Sequence, residues 1–290
     1  MEENAAPVIQ TNAVGTWKKY LPVFDVLLVY AAMITVPGLA GPSITKWQLD
    51  HYGGTPFNHV FLLILMPLAI VVLCRRSPLS MGLTFSDPKA QWRIGWRSAL
   101  VLLCLATWPI LALQALGIGY RTLPGAIVLT LIYIPVIHVL TRRLMAVPQP
   151  HTNASSGSPL LIVALVPVAA LGAMTFAAPF SPRVSNILFT FFLIGLGEEV
   201  FWRGYIQSRL NDAFGRPHAF RGISWGPGLV ITAVLFGVTH PIFGGIAQWP
   251  WALWTAAMGV ALGLIREKAN SVLPGAFAHG LFDLPIVFFF

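Results

Sequence analysis

The sequence predicts an all-α protein, a polytopic transmembrane helix bundle of about eight or nine spans. Three observations carry this prediction. Of 290 residues, 56% are hydrophobic and only 10% are charged, whereas a soluble domain carries about 25% charged residues. Mean hydropathy is +0.74. The apolar residues fall into runs long enough to cross a hydrocarbon core of about 30 Å, separated by short polar or basic stretches.

Taken in order, residues 1–16 are polar and read as a flexible tail. Trp17-Lys18-Lys19-Tyr20 precede the first run, 21–40. Gly38-Leu39-Ala40 resembles a weak cleavage site, but the length of the run and of its leader favours a retained span over a signal peptide. Run 60–73 is stopped by Arg75-Arg76. Segment 77–92 carries Pro78, Gly82 and Pro88 and reads as a loop or a helix lying on the membrane surface. Spans are expected at 94–116 and at 123–140, the latter closed by Arg142-Arg143. Residues 145–159, rich in Pro, Ser and Asn, read as a linker between N-terminal helices at 17–144 and a C-terminal set at 160–290. Within that set, spans are expected at 160–178, 184–210, 228–246, 251–265 and 272–290, with a basic loop at 216–227. No internal repeat of the transporter kind is evident.

The formal net charge of +8 belongs to this membrane pattern, and no nucleic-acid partner is expected. With the N-terminus in the cytoplasm, only Lys46, Arg121 and Arg183 of the 18 lysines and arginines fall outside. This asymmetry predicts an N-in orientation, with membrane lipids as partners and the plasma membrane as the expected location. Cys74 and Cys104 lie in or beside apolar segments and predict neither a disulfide framework nor a cysteine metal site.

The ionisable residues within the later spans are Glu198, Glu199, Arg203, His240, His279 and Asp283. Intramembrane charges are costly and occur paired or at functional sites. Glu199 and Arg203 are four apart and can pair on one helix face, as can His279 and Asp283. Glu198 points about a quarter-turn away from Glu199 and has no obvious local partner. The bland readings are a helix end emerging into water, a satisfied core histidine at His240 and a self-neutralising pair at His279–Asp283. Depth weighs against them. At about 1.5 Å per residue, Glu198 lies about 10 Å from the inner face, His240 about 18 Å in and His279 about 10 Å in. A carboxylate and two imidazoles at similar depth on three spans favour one shared polar site.

Neither a His-Glu-x-x-His zinc helix nor a Gly-x-Ser-x-Gly elbow is present. A carboxylate with a histidine can hold and deprotonate a water for attack on an amide carbonyl. A second polar pair can hydrogen-bond the resulting oxyanion. A Glu, two His and an Asp are also donors that Zn²⁺ accepts.

Glu-Glu-x-x-x-Arg at 198–203, Phe-x-x-x-His at 236–240 and His-x-x-x-Asp at 279–283, in this order on successive spans, resemble the type II CAAX prenyl endopeptidase family, with its bacterial CPBP group of CAAX- and bacteriocin-processing intramembrane proteases. The resemblance covers about residues 160–290. It implies a glutamate-dependent endopeptidase acting without metal or other cofactor on a membrane-attached or lipid-modified protein. Carried over, Glu198 is the base and His240 helps to hold the water. His279 and Asp283 form the oxyanion-binding pair, and Glu199 with Arg203 is a structural pair. Family members that cleave prenylated proteins typically have Asn where this chain has Asp283. An ionised Asp cannot donate a hydrogen bond, so it would have to be protonated or orient His279 instead.

Two alternatives use the same residues: a transporter or proton relay, and a non-catalytic immunity or scaffold protein that keeps the fold. Discontinuous helices in matching halves would mark the first, and broken motifs the second. Trp249, Trp251 and Trp254 read as an interfacial belt or a lipid-substrate groove. Gly259 and Gly263 form a small-residue face for helix packing. Gly195 and Gly197 allow a neighbouring helix to approach the carboxylates.

Overall fold

The structure, a computed structural model, describes residues 13–39, 41–150 and 159–289. The expected linker therefore lies largely outside the described residues, as does the tail at 1–12. Among the described residues the chain folds as ten helices of 11 residues or more, plus one hairpin: α1 Ala13–Leu39, α2 Pro42–Tyr52, α3 Pro56–Leu73, α4 Pro88–Ala115, α5 Leu123–Met145, α6 Leu160–Ala177, α7 Pro182–Phe214, α8 Pro227–Gly244, α9 Trp251–Ala269 and α10 Leu273–Phe289. Among the described residues, seven helices (α1 and α3 to α8) are long and apolar enough to cross a membrane. The chain is an integral, multi-pass membrane protein. Helices α9 and α10 have 19 and 17 described residues. The first carries Arg266, Glu267 and Lys268 in its last turn, and the second is short. These two account for the difference from eight or nine spans.

Local chemistry sets the ends. Proline opens α2, α3, α4, α7 and α8, where its missing N–H costs nothing and its φ is already helical. Asp87 caps α4 by accepting from the Ala90 N–H at 3.0 Å. This cap corrects the reading of 77–92. A short 3₁₀ turn at Pro78–Met81 precedes α4, which starts at Pro88 and runs unbroken into the span. Its first turns expose Trp92 and Trp96 while burying Ile94, Gly95 and Ser98, so the helix simply projects beyond the apolar run. Helix α2, which polar residues disguise, was not expected between the first two spans. The basic segment after α7 is a hairpin, His218–Phe220 paired antiparallel with Ile223–Trp225. Its two-residue turn places Arg221 and Gly222 at φ 52° and 72°, the positive pair that matches strand twist.

Helix α7 is the axis of the bundle. It packs against α3, α6 and α10 in its first half and against α1 and α8 in its second. Glycines allow the closest crossings. A Cβ on Gly195 would stand 2.8 Å from Gly280 Cα, so α7 and α10 touch backbone to backbone. Helices α8 and α9 close on each other through Gly237 against Ala252 and Ala256, Gly259 against Ala233 and Gly263 against Leu229. The expected small-residue packing faces are present. Gly197 instead meets Ile64 of α3. Large apolar side chains such as Leu28, Leu73, Leu161 and Phe176 remain exposed on the outer surface, as a lipid-facing surface requires.

Candidate active site

The second half of α7 begins with a π-helical stretch, Glu199–Ile206, all eight residues of which are buried. Such wide turns are frequent at functional sites. It follows directly on Glu198, and a second π-helical stretch, Phe189–Gly195, precedes it. The Gly195–Gly280 crossing then brings α10 against the carboxylates, so Glu199 and His279, 80 apart in sequence, meet.

Glu199 and Arg203 form an ion pair of 2.7 Å with both side chains fully buried. The same Glu199 Oε1 faces His279 Nδ1 at 3.0 Å. Its other oxygen packs toward Gly275, where a Cβ would stand 3.0 Å away. Arg203 also donates to the Gly259 carbonyl of α9 at 3.3 Å and lies over the Phe236 ring at 4.4 Å. The opposite edge of His279 presents Nε2 to Asp283 at 3.3 Å and to Glu198 at 4.0 Å. Each ring nitrogen of His279 therefore faces carboxylate oxygen and is placed to donate.

His240 is set differently. Its Nδ1 is 2.8 Å from the Phe236 carbonyl. A carbonyl only accepts, so Nδ1 carries a proton and Nε2 of the neutral ring is left as an acceptor. The ring stands edge-on to Phe236 and Trp251, each with its centroid 4.8 Å away. Phe236 thus contacts His240, His279, Arg203 and Trp202. This gives the aromatic member of the Phe-x-x-x-His motif a structural purpose.

Glu198 and His240 line two cavities. One, of about 410 Å³, extends past Met33, Leu62 and Phe243 to Thr45 and Leu49 of α2. The other, of about 300 Å³, extends past Thr190, Trp254 and Phe282 and includes His279 and Asp283. Arg121 and Trp251 also belong to both. All six residues singled out in the sequence are therefore brought together: Glu198, His240, His279 and Asp283 at the cavities, and Glu199 and Arg203 behind them.

Arg121 and the contact of Trp251 with the site were not foreseen. Arg121 stacks on Trp251 with its guanidinium carbon 4.0 Å from the ring centroid, and it donates to Gln248 at 3.2 Å. It lies in the half of the chain without recognisable motifs. Its isolation on the cation-poor side was the one available signal. Among the described residues, no three His, Cys, Asp or Glu side chains stand at metal-ligand spacing.

The family described as type II CAAX prenyl endopeptidase Rce1-like matches residues 179–285. This region spans α7, the hairpin, α8, α9 and most of α10, and holds all six residues. No curated protein and no solved structure matches the chain. The family match supports intramembrane CAAX-type protease activity in general terms. Residues 179–285 of this multi-pass membrane protein are similar to the type II CAAX prenyl endopeptidase Rce1-like family.

Proposed function

We propose that the chain is an intramembrane glutamic endopeptidase that hydrolyses a peptide bond in a membrane-attached or lipid-modified protein, using water alone. The observation that carries this reading is that Glu198 and His240, from α7 and α8, line the same cavities, with His279 beside them.

In this reading a water donates one hydrogen bond to His240 Nε2 and gives a proton to Glu198 as its oxygen attacks the scissile carbonyl. The negative charge that develops on the carbonyl oxygen is met by the His279 Nε2–H, which the oxyanion shares with Asp283. Asp283 accepts from His279 at 3.3 Å, so its role is to hold that ring rather than to donate to the oxyanion. Glu199 holds the other ring nitrogen, and Arg203 holds Glu199. As the C–N bond breaks, the proton passes from Glu198 to the leaving amine. The water oxygen remains in the new carboxyl group. The plasma membrane and a cytoplasmic N-terminus complete the reading, on the strength of the charge asymmetry.

The test compares cells carrying wild-type protein with cells carrying Glu198→Gln at matched membrane levels, by mapping peptide termini in the membrane proteome. Termini present only with wild type are expected. Identical termini in the two, with the wild-type rate retained, would remove the assignment in favour of a scaffold or a proton relay.

A further inference from the structure

We infer that the cavity holding Glu198 and His240 opens at the extracytoplasmic face, so that the substrate is a membrane-adjacent peptide segment on the outer side rather than a cytoplasmic tail. The inference rests on the peptidase reading for the word substrate, but the direction of access stands on the cavity's geometry and the asymmetry of charge.

The larger cavity takes its mouth from one end of the bundle. Pro37 lies in the last turn of α1, Thr45 and Leu49 belong to α2, Arg121 lies in the α4–α5 turn, and Gly244 and Trp251 flank the α8–α9 turn. The opposite end carries the cations. Arg75 and Arg76 follow α3, Arg142 and Arg143 end α5, Arg216 and Arg221 flank the first strand of the hairpin, and Arg266 and Lys268 end α9. Positive residues collect on the cytoplasmic side, which places the mouth outside.

Depth agrees. His240 is four residues from Gly244, the last of α8, but thirteen from Pro227, its first. At about 1.5 Å per residue, the imidazole is about 6 Å from the mouth end and about 20 Å from the basic end.

The basic side is closed. Below Glu198, every residue from Glu199 to Ile206 is buried. Arg203 reaches across to the Gly259 carbonyl. Gln207 donates to the Gly263 carbonyl and to Glu267, which also takes Asn211 at 2.7 Å and Arg216. These side chains stitch α7 to α9 beneath the site, and the cavity of about 320 Å³ at the basic end, lined by Ser208, Arg216, Arg266 and Glu267, does not include Glu198 or His240 in its lining. The mouth itself is lined by Leu62, Phe243 and Trp251, with Arg121 as its cation. This is a wall for an extended segment that lies partly in the outer leaflet.

Two natural features make the test simple. Cys74 is exposed at the basic end, one residue before Arg75, and the other cysteine is Cys104. In a Cys104→Ser background, Leu62→Cys places a thiol in the cavity. Ile246→Cys places one in the α8–α9 turn, where the residue is 78% exposed. Intact cells are treated with a charged, membrane-impermeant methanethiosulfonate before and after permeabilisation. The expected result is labelling of L62C and I246C in intact cells, with Cys74 labelled only after permeabilisation. Labelling of Cys74 in intact cells, or of L62C only after permeabilisation, overturns the inference. If L62C fails to insert, Thr45→Cys at the same mouth replaces it. The readout needs no cleavage. Wild-type activity in Glu198→Gln would end the peptidase reading while this labelling pattern still decided the side of access.

Discussion

Glu199 Oε1 takes Arg203 Nη1 at 2.7 Å and faces His279 Nδ1 at 3.0 Å. One oxygen, sealed from solvent, thereby couples a turn of α7 to the imidazole of α10. Removing one partner of a buried pair leaves an uncompensated charge at a cost of about 3–5 kcal/mol. Arg203→Ala and Glu199→Ala are therefore expected to lower thermal stability sharply in detergent, and activity with it. Glu198→Gln should leave the unfolding temperature near wild type while abolishing cleavage. Unfolding curves measured beside cleavage separate the two kinds of residue. Equal loss of stability in all three variants would mean that Glu198 belongs to the structural pair.

His240→Phe keeps a ring between Phe236 and Trp251 but removes the Nε2 acceptor. It is expected to fold normally and to lose about 10²-fold or more in kcat, the usual contribution of a group that assists proton transfer. A variant with wild-type kcat would show that His240 only packs.

Asp283 distinguishes two ways of stabilising the oxyanion. If it holds His279 by accepting, Asp283→Asn keeps an amide oxygen for that bond and retains most activity. Asp283→Ala loses it and falls about 10–100-fold, the usual cost of an orienting partner. If donation from this position mattered, Asp283→Asn would instead exceed wild type. The comparison is of kcat for the two variants at matched KM.

Gly195→Ala would place a methyl carbon 2.8 Å from Gly280 Cα and 3.0 Å from the Ala276 carbonyl oxygen. Both are backbone atoms, so α7 and α10 must move apart. A cost of about 1–3 kcal/mol is expected, together with reduced cleavage, because His279 adjoins Gly280. Thermal unfolding and activity measured on the one preparation check both parts.

Chelator treatment of purified enzyme is expected to leave cleavage unchanged, since the proposed water is held by Glu198 and His240. Loss of activity with EDTA, restored by Zn²⁺, would turn the same donors into a metal site.

Much of this was legible in the sequence because a membrane simplifies the code. Runs without charge had to be helices, since no other open structure satisfies its backbone in lipid. The helical repeat alone placed Arg203 beside Glu199 and Asp283 beside His279. Where polar residues concealed periodicity, as in α2 and the start of α4, the pattern failed. The caps and prolines that set those elements are local signals, and hydropathy does not weigh them.

By itself, the sequence determined the helical class, the approximate spans, the asymmetry of charge and the six side chains of the candidate site. Only the tertiary structure decided that Glu199 rather than Glu198 faces His279 Nδ1, that Asp283 faces Nε2 of the same ring, that Trp251 and Arg121 join the site, and at which end of the bundle the cavity lies. The physical reason is that periodicity reaches only one turn along a helix. Contacts between α7 and α10 depend on how closely Gly195 and Gly280 let two backbones approach, and the repeat of neither helix contains that distance.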